Sequence, residues 1–416
     1  MKLKYLFLAM LATAGFISCS NEDDKVDPNA TYDAEINVAV SPSTEVSTKA
    51  SVADASTNGT TGEQLVSRLT AFVFDASDKV VGVSDTTNTL NPTVNIDRIK
   101  RIVVKATESG TTYKLFIVAN LHLNDAALLS KSTLTEIQNA TTTSLEDETE
   151  SSLTMSSKVL SITVKGKKDI RVYPNYLMNT DGTSILWGDE NKASFESLNV
   201  ENNVKLVRLV ARVQLESLGV AFVGGNLENA SFRLDSAYLV NVKSSSKFVG
   251  DDLTTGSAYW NGTGNFTVID KLIVNGGIQK GAPFVVKPKI ILKSGNSTNN
   301  PYDFTVTSNS ANFLKAYIYE NHIVEVSGTY NTRLVLKGLI TLENGQSLGE
   351  TYYHITIKDV ADADYVLRNT IYKVSVTITG TGSPNEDQKS DLNAGINAKV
   401  TVSPWKVVNQ TENDAN

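Results

Sequence analysis

The chain has 416 residues, a formal net charge of −7, 41% hydrophobic residues and a single cysteine. An acidic chain with no basic stripe is a poor partner for nucleic acid. One cysteine excludes an intrachain disulfide framework and a C-x-x-C metal site, and the length predicts two domains with real cores.

In chain order, residues 1–19 read as a secretory signal. Lys2 and Lys4 form its charged start, residues 5–11 a short apolar core, and small residues precede Cys19. The apolar run is too short to span a bilayer. Cys19 resembles the lipid-bearing cysteine of bacterial lipoproteins. Residues 20–24 (Ser-Asn-Glu-Asp-Asp) resemble the acidic tag that sends lipoproteins of the Bacteroidota to the outer face of the outer membrane, and equally read as a solvated linker.

Residues 34–40 alternate, with Ala34, Ile36, Val38 and Val40 on one face, and predict a half-buried strand. Residues 41–62, rich in Ser and Thr, bury too little apolar surface to order themselves. Lys49 followed by Ala50 lies there, a basic residue in a flexible loop where a trypsin-like protease cuts. Residues 65–74 and 113–120 are apolar on both parities, as in strands inside a sandwich. Residues 93–104 and 159–164 predict further strands, residues 125–138 a short helix, and residues 141–157 a polar, mobile stretch. The Asp/Glu cluster at 146–150 lacks the spacing of an EF-hand and reads as a solvated loop.

Residues 204–218 predict a strand opening a second unit, with Val207, Leu209, Ala211, Val213 and Leu215 on one face and Arg208, Arg212 and Gln214 on the other. Strands recur at 237–243, 284–292, 316–330 with a break, 350–358 and 369–379. Residues 380–395 read as a loop. Residues 397–408 alternate at Ala398, Val400 and Val402 until Pro404 breaks the phase; Trp405 and Val407 follow on the opposite parity. A proline lacks the ladder N–H, so the strand must kink, bulge or lie at an edge. This segment either closes its own sheet or leaves it to pair with another molecule. The whole predicts an all-β chain of two tandem β-sandwiches with few short helices.

No motif for chemistry emerges. His122, His322 and His354 are far apart and read as structural. There is no G-x-S-x-G, no dinucleotide fingerprint and no P-loop. Neither a metal site nor a cofactor is expected. Trp187, Trp260, Tyr259 and Tyr302 could line a sugar-binding face, which makes a surface glycan-binding lipoprotein the competing reading; a glycosidase would need a carboxylate pair that nothing singles out.

Taken together, several segments resemble the shaft subunits of Bacteroidota fimbriae, the FimA/Mfa family of type V pili. They are the signal ending at Cys19, the strand at 34–40, Leu-Thr-Ala-Phe-Val-Phe at 69–74 and Leu-Phe-Ile-Val-Ala-Asn at 115–120. Val-Arg-Leu-Val-Ala-Arg at 207–212, residues 368–382 and residues 400–408 complete the set. The resemblance implies transthyretin-like sandwiches and no enzyme activity. It implies a division into a lipoprotein signal (1–19), a propeptide carrying a removable strand (20–49), an N-terminal sandwich (50–203), a C-terminal sandwich (204–395) and a C-terminal donor strand and tail (396–416). It also implies an order of events: export as an outer-membrane lipoprotein lipidated at Cys19, then cutting by an Arg/Lys-specific surface protease at Lys49–Ala50. Arg68 is a second, less suitable point inside a predicted strand. Loss of the strand bearing Ala34, Ile36, Val38 and Val40 would open a groove. The donor strand of an identical or related pilin, with Val400, Val402, Trp405 and Val407, would fill it in a head-to-tail fibre. Independently of the family, both terminal segments carry the same kind of alternating face, so one can replace the other.

Overall fold

The structure is a computed structural model describing residues 27, 29–43, 60–88, 95–177, 185–197, 203–222, 224–249, 285–286, 290–293, 304–305, 315–322, 331–358, 366–384 and 396–405. Strands dominate. The first set is β1 (Thr31–Pro42), β2 (Arg68–Phe74), β3 (Val80–Thr87), β4 (Arg98–Thr107), β5 (Thr111–Ala119), β6 (Met155–Ser156), β7 (Leu160–Val164), β8 (Tyr173–Leu177), β9 (Ile185–Trp187) and β10 (Val204–Arg208). Two five-residue helices, α1 (Leu134–Gln138) and α2 (Lys192–Glu196), sit among them. The second set is β11 (Val210–Val220), β12 (Ser231–Val240), β13 (Val285–Val286), β14 (Ile290–Lys293), β15 (Phe304–Thr305), β16 (Lys315–Tyr319), β17 (Arg333–Thr341), β18 (Ser347–Thr356), β19 (Thr370–Ile378) and β20 (Ile396–Pro404). The all-β class expected from the alternating segments is the class observed.

In the first set, β1 lies between β4 and β8, with β9 outside β8. The other strands run β3–β2–β5, with β7 and β6 beside β5 and β10 beside β6. The end of β1, Val40–Pro42, pairs in parallel with Val204–Leu206 of β10 and so ties the two groups together. In the second set one sheet runs β15–β11–β19–β20, with β16 also on β11. The other runs β13–β12–β17–β18, with β14 also on β12. Apolar side chains from both sets form one continuous buried cluster.

The structure refines several sequence expectations. Residues 204–218 form two strands, and they pair on different sides: β10 with β1 and β6, β11 with β15, β16 and β19. The expected helix at 125–138 is a 3₁₀ segment (Leu123–Ser130) followed by α1, whose Thr133 and Glu136 form a reciprocal capping box. The stretch read as mobile, 141–157, is pinned: Leu145, Leu153 and Met155 are buried and the Thr142 N–H donates to the Ser246 carbonyl. Glu148, read as part of a solvated loop, is buried and accepts from the Thr154 N–H at 2.8 Å. β3 and β17 had no clear sequence signature, because β3 is an edge whose Val81 and Val83 stay exposed and β17 is apolar on both parities over its first half.

Pro404 ends β20, opposite Thr370 at the rim of the sheet, and β20 is an edge strand as its proline requires. Gly338 of β17 marks a close approach. A Cβ there would fall 2.3 Å from the Arg233 carbonyl and from the Phe232 ring, which meets Tyr353 edge-on at 5.6 Å. Gly338→Ala should therefore force a backbone or ring shift and lower stability by about 1–3 kcal/mol. Chemical denaturation measures this; an unchanged midpoint would contradict the packing.

Candidate functional site

The N-terminal strand is built to be interior. Ala34, Ile36, Val38 and Val40 are all buried, as their alternation predicts. The intervening residues were expected to face water, but Asn37 and Ala39 are buried too. Ala39 packs with Tyr176 and Phe195. Asn37 is accommodated by a bulge in β4, where Arg101 takes a φ of 66° and its N–H donates to Asn37 Oδ1 at 3.3 Å. Asn175 of β8 completes the seat by donating to the Glu35 and Lys165 carbonyls and accepting from the Lys165 N–H. A half-buried strand was expected because sequence shows one apolar face; the second face is covered by Tyr176 and Phe195 at Ala39 and by hydrogen bonds with neighbouring backbone at Asn37.

The C-terminal strand lies at home in its own sheet. β20 pairs antiparallel with β19 from Ile396↔Ile378 to Pro404↔Thr370. Val400 is partly buried against the core, and the backbone of Val402 faces that of Tyr372. Trp405, just beyond the strand, is fully buried, and its surroundings are charged rather than apolar.

The centre of that site is Glu63, fully buried on a 3₁₀ turn, Gly62–Gln64. Thr60 and Glu63 cap each other: the Thr60 N–H donates to Glu63 Oε2 at 2.8 Å, and Glu63 N to Thr60 Oγ1 at 3.4 Å. Arg212 Nη1 donates to both carboxylate oxygens at 2.7 Å, the Tyr317 hydroxyl donates to Oε1 at 2.7 Å, and Trp405 Nε1 donates to Oε2 at 3.1 Å. Lys315 Nζ stands 3.5 Å away. Burial alone would push the Glu63 carboxyl up, but the Arg212 charge, the bonds from Tyr317 and Arg212, and the Lys315 charge outweigh it and hold it below the usual carboxylate range.

Arg208 lies on the other side of the tryptophan. Its Nε donates to the Glu63 carbonyl at 3.0 Å, and its Nη1 donates to Asn369 Oδ1 at 2.9 Å and to the Ser43 carbonyl at 3.2 Å. Its guanidinium is 4.8 Å from the Trp405 ring centroid, that of Arg212 5.6 Å, and Tyr317 stacks on the ring at 6.1 Å. Burial pushes the Arg208 guanidinium down to about 10; the Glu63 charge opposes this and the Arg212 charge adds to it. Five segments thus meet: the end of β1, the turn at Glu63, the β10–β11 pair, β16 and the residue after β20.

A second polar cluster ties the two sets of strands. Arg368 pairs with Glu320 through Nε at 2.6 Å and again through Nη2, and Ser246 Oγ donates to Glu320 at 3.0 Å. Nearby, the Tyr319 hydroxyl donates to Glu148 at 3.1 Å, with His122 Nε2 3.9 Å from the same carboxylate.

Of the residues singled out from sequence, the structure gathers Ala34, Ile36, Val38 and Val40 in one strand and places Trp405 at the junction. Cys19, Lys49, Ala50, Val407, Trp260, Tyr259 and Tyr302 lie outside the described residues. Arg68 begins β2 and is held by Asp85 and by the Leu121 carbonyl. Trp187, a candidate sugar platform, is half-buried with the Lys165 ammonium 4.0 Å from its ring centroid, so one face is covered. Glu63 and both arginines were missed as a site. The pattern Thr60-x-x-Glu63 before an apolar run was a usable capping signal, whereas nothing local distinguishes Arg208 and Arg212 from solvent-facing residues of a strand.

An interior N-terminal strand, two sets of sheets and a home-paired C-terminal strand define an all-β fold of the kind seen in solved fimbrilins. The chain aligns with the crystal structure of a fimbrilin from Porphyromonas gingivalis W83 at a TM-score of 0.55 and 18% identity, covering 91% of this chain and 99% of that one. Residues 34–208 match the family model described as major fimbrial subunit protein (FimA), the family that the sequence segments resemble. The major fimbrium subunits FimA type-5 and FimA type-4 of Porphyromonas gingivalis are each 23% identical over 99% of both chains, across 426 and 442 aligned residues. The family consists of structural fimbrial subunits rather than enzymes.

Removing the Glu63 charge strands two buried arginines. Glu63→Ala should cost about 3–5 kcal/mol in urea unfolding; a loss within the scatter of surface substitutions would refute the cluster's role. Because the folded carboxyl binds its proton less readily than the unfolded one, its contribution is complete above the ordinary carboxylate range and is lost as pH falls through the lowered folded value. Wild type should therefore lose more stability than Glu63→Gln over that acidic window, by urea titration at each pH.

Proposed function

We propose that this chain is a structural subunit of a surface fimbrium that polymerises by proteolysis-gated exchange of its terminal strands. The observation that carries the reading is the position of β1: it is the first of the described strands, yet it is paired on both sides, by β4 and by β8. Taking it out would expose two rows of unpaired backbone groups over an apolar trough, a template for another strand. Ile36, Val38 and Val40, each worth about 1.5–3 kcal/mol when buried, mark what an incoming strand must replace.

The incoming strand is residues 397–408 of a neighbouring subunit. β1 has twelve residues, and the donor segment has the same length and the same alternation up to Pro404. At home β20 has one partner strand; in the groove it would have two. The exchange therefore adds a ladder as well as apolar burial, and a head-to-tail contact of this kind propagates instead of closing.

The precursor is a lipoprotein held at the outer membrane through Cys19, and the cut falls at Lys49–Ala50. Its product then has an N-terminal sandwich beginning at residue 50 and a C-terminal sandwich ending near residue 395. The hydrogen bonds and ion pair of Arg68 make it a poor second cleavage point. The partners are identical or related pilins and an Arg/Lys-specific surface protease. Donor and groove in one chain fit a shaft position.

Surface material should begin at Ala50 and run as detergent-resistant multimers on an unboiled gel. Lipid-blocked monomer starting at Cys19 would overturn the reading. Deleting residues 397–416 should leave folded monomers that no longer polymerise; fibres of normal length from that truncation would exclude the donor strand. Lys49→Ala should accumulate uncut precursor in a blot of surface fractions, whereas normal maturation would move the cut elsewhere.

A further inference from the structure

The end of the leader strand and the tryptophan after the C-terminal strand share a contact, although they belong to different sets of sheets. Arg208 joins them. Its Nη1 donates to the Ser43 carbonyl, one residue past β1, and its guanidinium lies 4.8 Å from the Trp405 ring. Asn369, at the start of β19, touches the same places: its Nδ2 donates to the Ser43 carbonyl at 3.4 Å and its Oδ1 accepts from Arg208. Ser43 in turn donates its N–H to the Leu206 carbonyl of β10.

Arg208 is fully buried, and its acceptor supply is already short. Nη2 finds no hydrogen-bond acceptor among the described residues, and neither does Arg212 Nε. A buried guanidinium with few acceptors is sensitive to losing one more. The Ser43 carbonyl is the acceptor that would leave with the propeptide, since Ser43 precedes Lys49. The Glu63 carbonyl and Asn369 would remain.

We propose that Arg208 couples cleavage to strand release: the leader end completes the charged seat of Trp405, and its departure loosens β20 so that the donor strand becomes available only after the cut. This rests on the strand-exchange reading above. With Ser43 gone, water must enter to satisfy Arg208. Water beside Trp405 weakens its contacts with the two guanidinium groups and its bond to Glu63, since both are strongest in a dry site. Among the described residues β20 pairs with β19 alone, and Trp405 anchors the end of that strand through Glu63. The device keeps an uncut precursor from offering its donor strand.

The test is amide exchange, by mass spectrometry, of peptides covering residues 396–405. It compares the uncut precursor with the same protein cut after Lys49, both diluted so that exchange of strands between molecules is slow. Cutting should speed exchange of β20 roughly 10- to 100-fold, the loss of one hydrogen bond to a charged group, while β17 and β18 keep their rates. In uncut Arg208→Gln, β20 should already exchange fast, and cutting should add little. If that variant does not fold, Arg208→Lys, which keeps the charge and gives up the planar fork, replaces it. Equal β20 rates in cut and uncut wild-type protein would overturn the coupling, as would an undiminished effect of cutting in the arginine variant. Concentrating the cut protein tests the underlying reading separately. Multimers without a change in β20 exchange would refute the coupling alone; faster β20 exchange without multimers would refute strand exchange and leave the coupling standing.

Discussion

A fully buried carboxylate joins the segments that carry this molecule's terminal strands. Glu63 is removed from solvent, and its charge is tolerable only because Arg212, Tyr317, Trp405 and the Thr60 amide all donate to it. A pair of apolar residues of similar volume would stabilise such a junction at least as well. What the charge adds is direction. An apolar cluster would accept a shifted tryptophan or a slipped strand, whereas a carboxylate with two oxygens and assigned donors accepts one arrangement. The tryptophan is suited to this seat because its indole combines a large face for guanidinium groups with one N–H for the carboxylate.

The two terminal strands differ in how many neighbours they have, and that difference organises the rest. β1 is enclosed by β4 and β8 and then crosses to β10, so the first set of strands is assembled around it. Among the described residues β20 lies at the rim of its sheet and ends at Pro404, just as the interior β1 ends at Pro42. An edge strand is the inexpensive one to detach and an interior seat is the favourable one to occupy.

Of the aromatics that could line a sugar-binding face, Trp187 is the one that lies among the described residues. A sugar-binding platform needs an exposed aromatic face, and the described candidate, Trp187, carries a lysine ammonium over its ring. His354 is buried within β18, and His122 stands beside the buried Glu148, where that carboxylate's hydrogen bond and charge outweigh the effect of burial and raise its pKa. Polar groups that a sequence search flags as chemical are here used to join elements.

The sequence by itself determined the class of fold, the alternation that makes 34–40 and 397–408 strands of one kind, and the break that Pro404 makes in the latter. Each is a local property: side chains alternate across a strand, and proline lacks an N–H wherever it sits. The family resemblance was legible for a similar reason, because it rests on short apolar strands such as 69–74 and 115–120. Tertiary structure alone decided the second buried face of β1, the division of residues 204–218 between different sheets, and the meeting of Glu63 with Arg208, Arg212 and Trp405. Those residues are separated by up to 342 positions. An arginine alternating with valines looks the same in sequence whether water or a buried carboxylate receives its charge, so only the packing of distant strands could assign it.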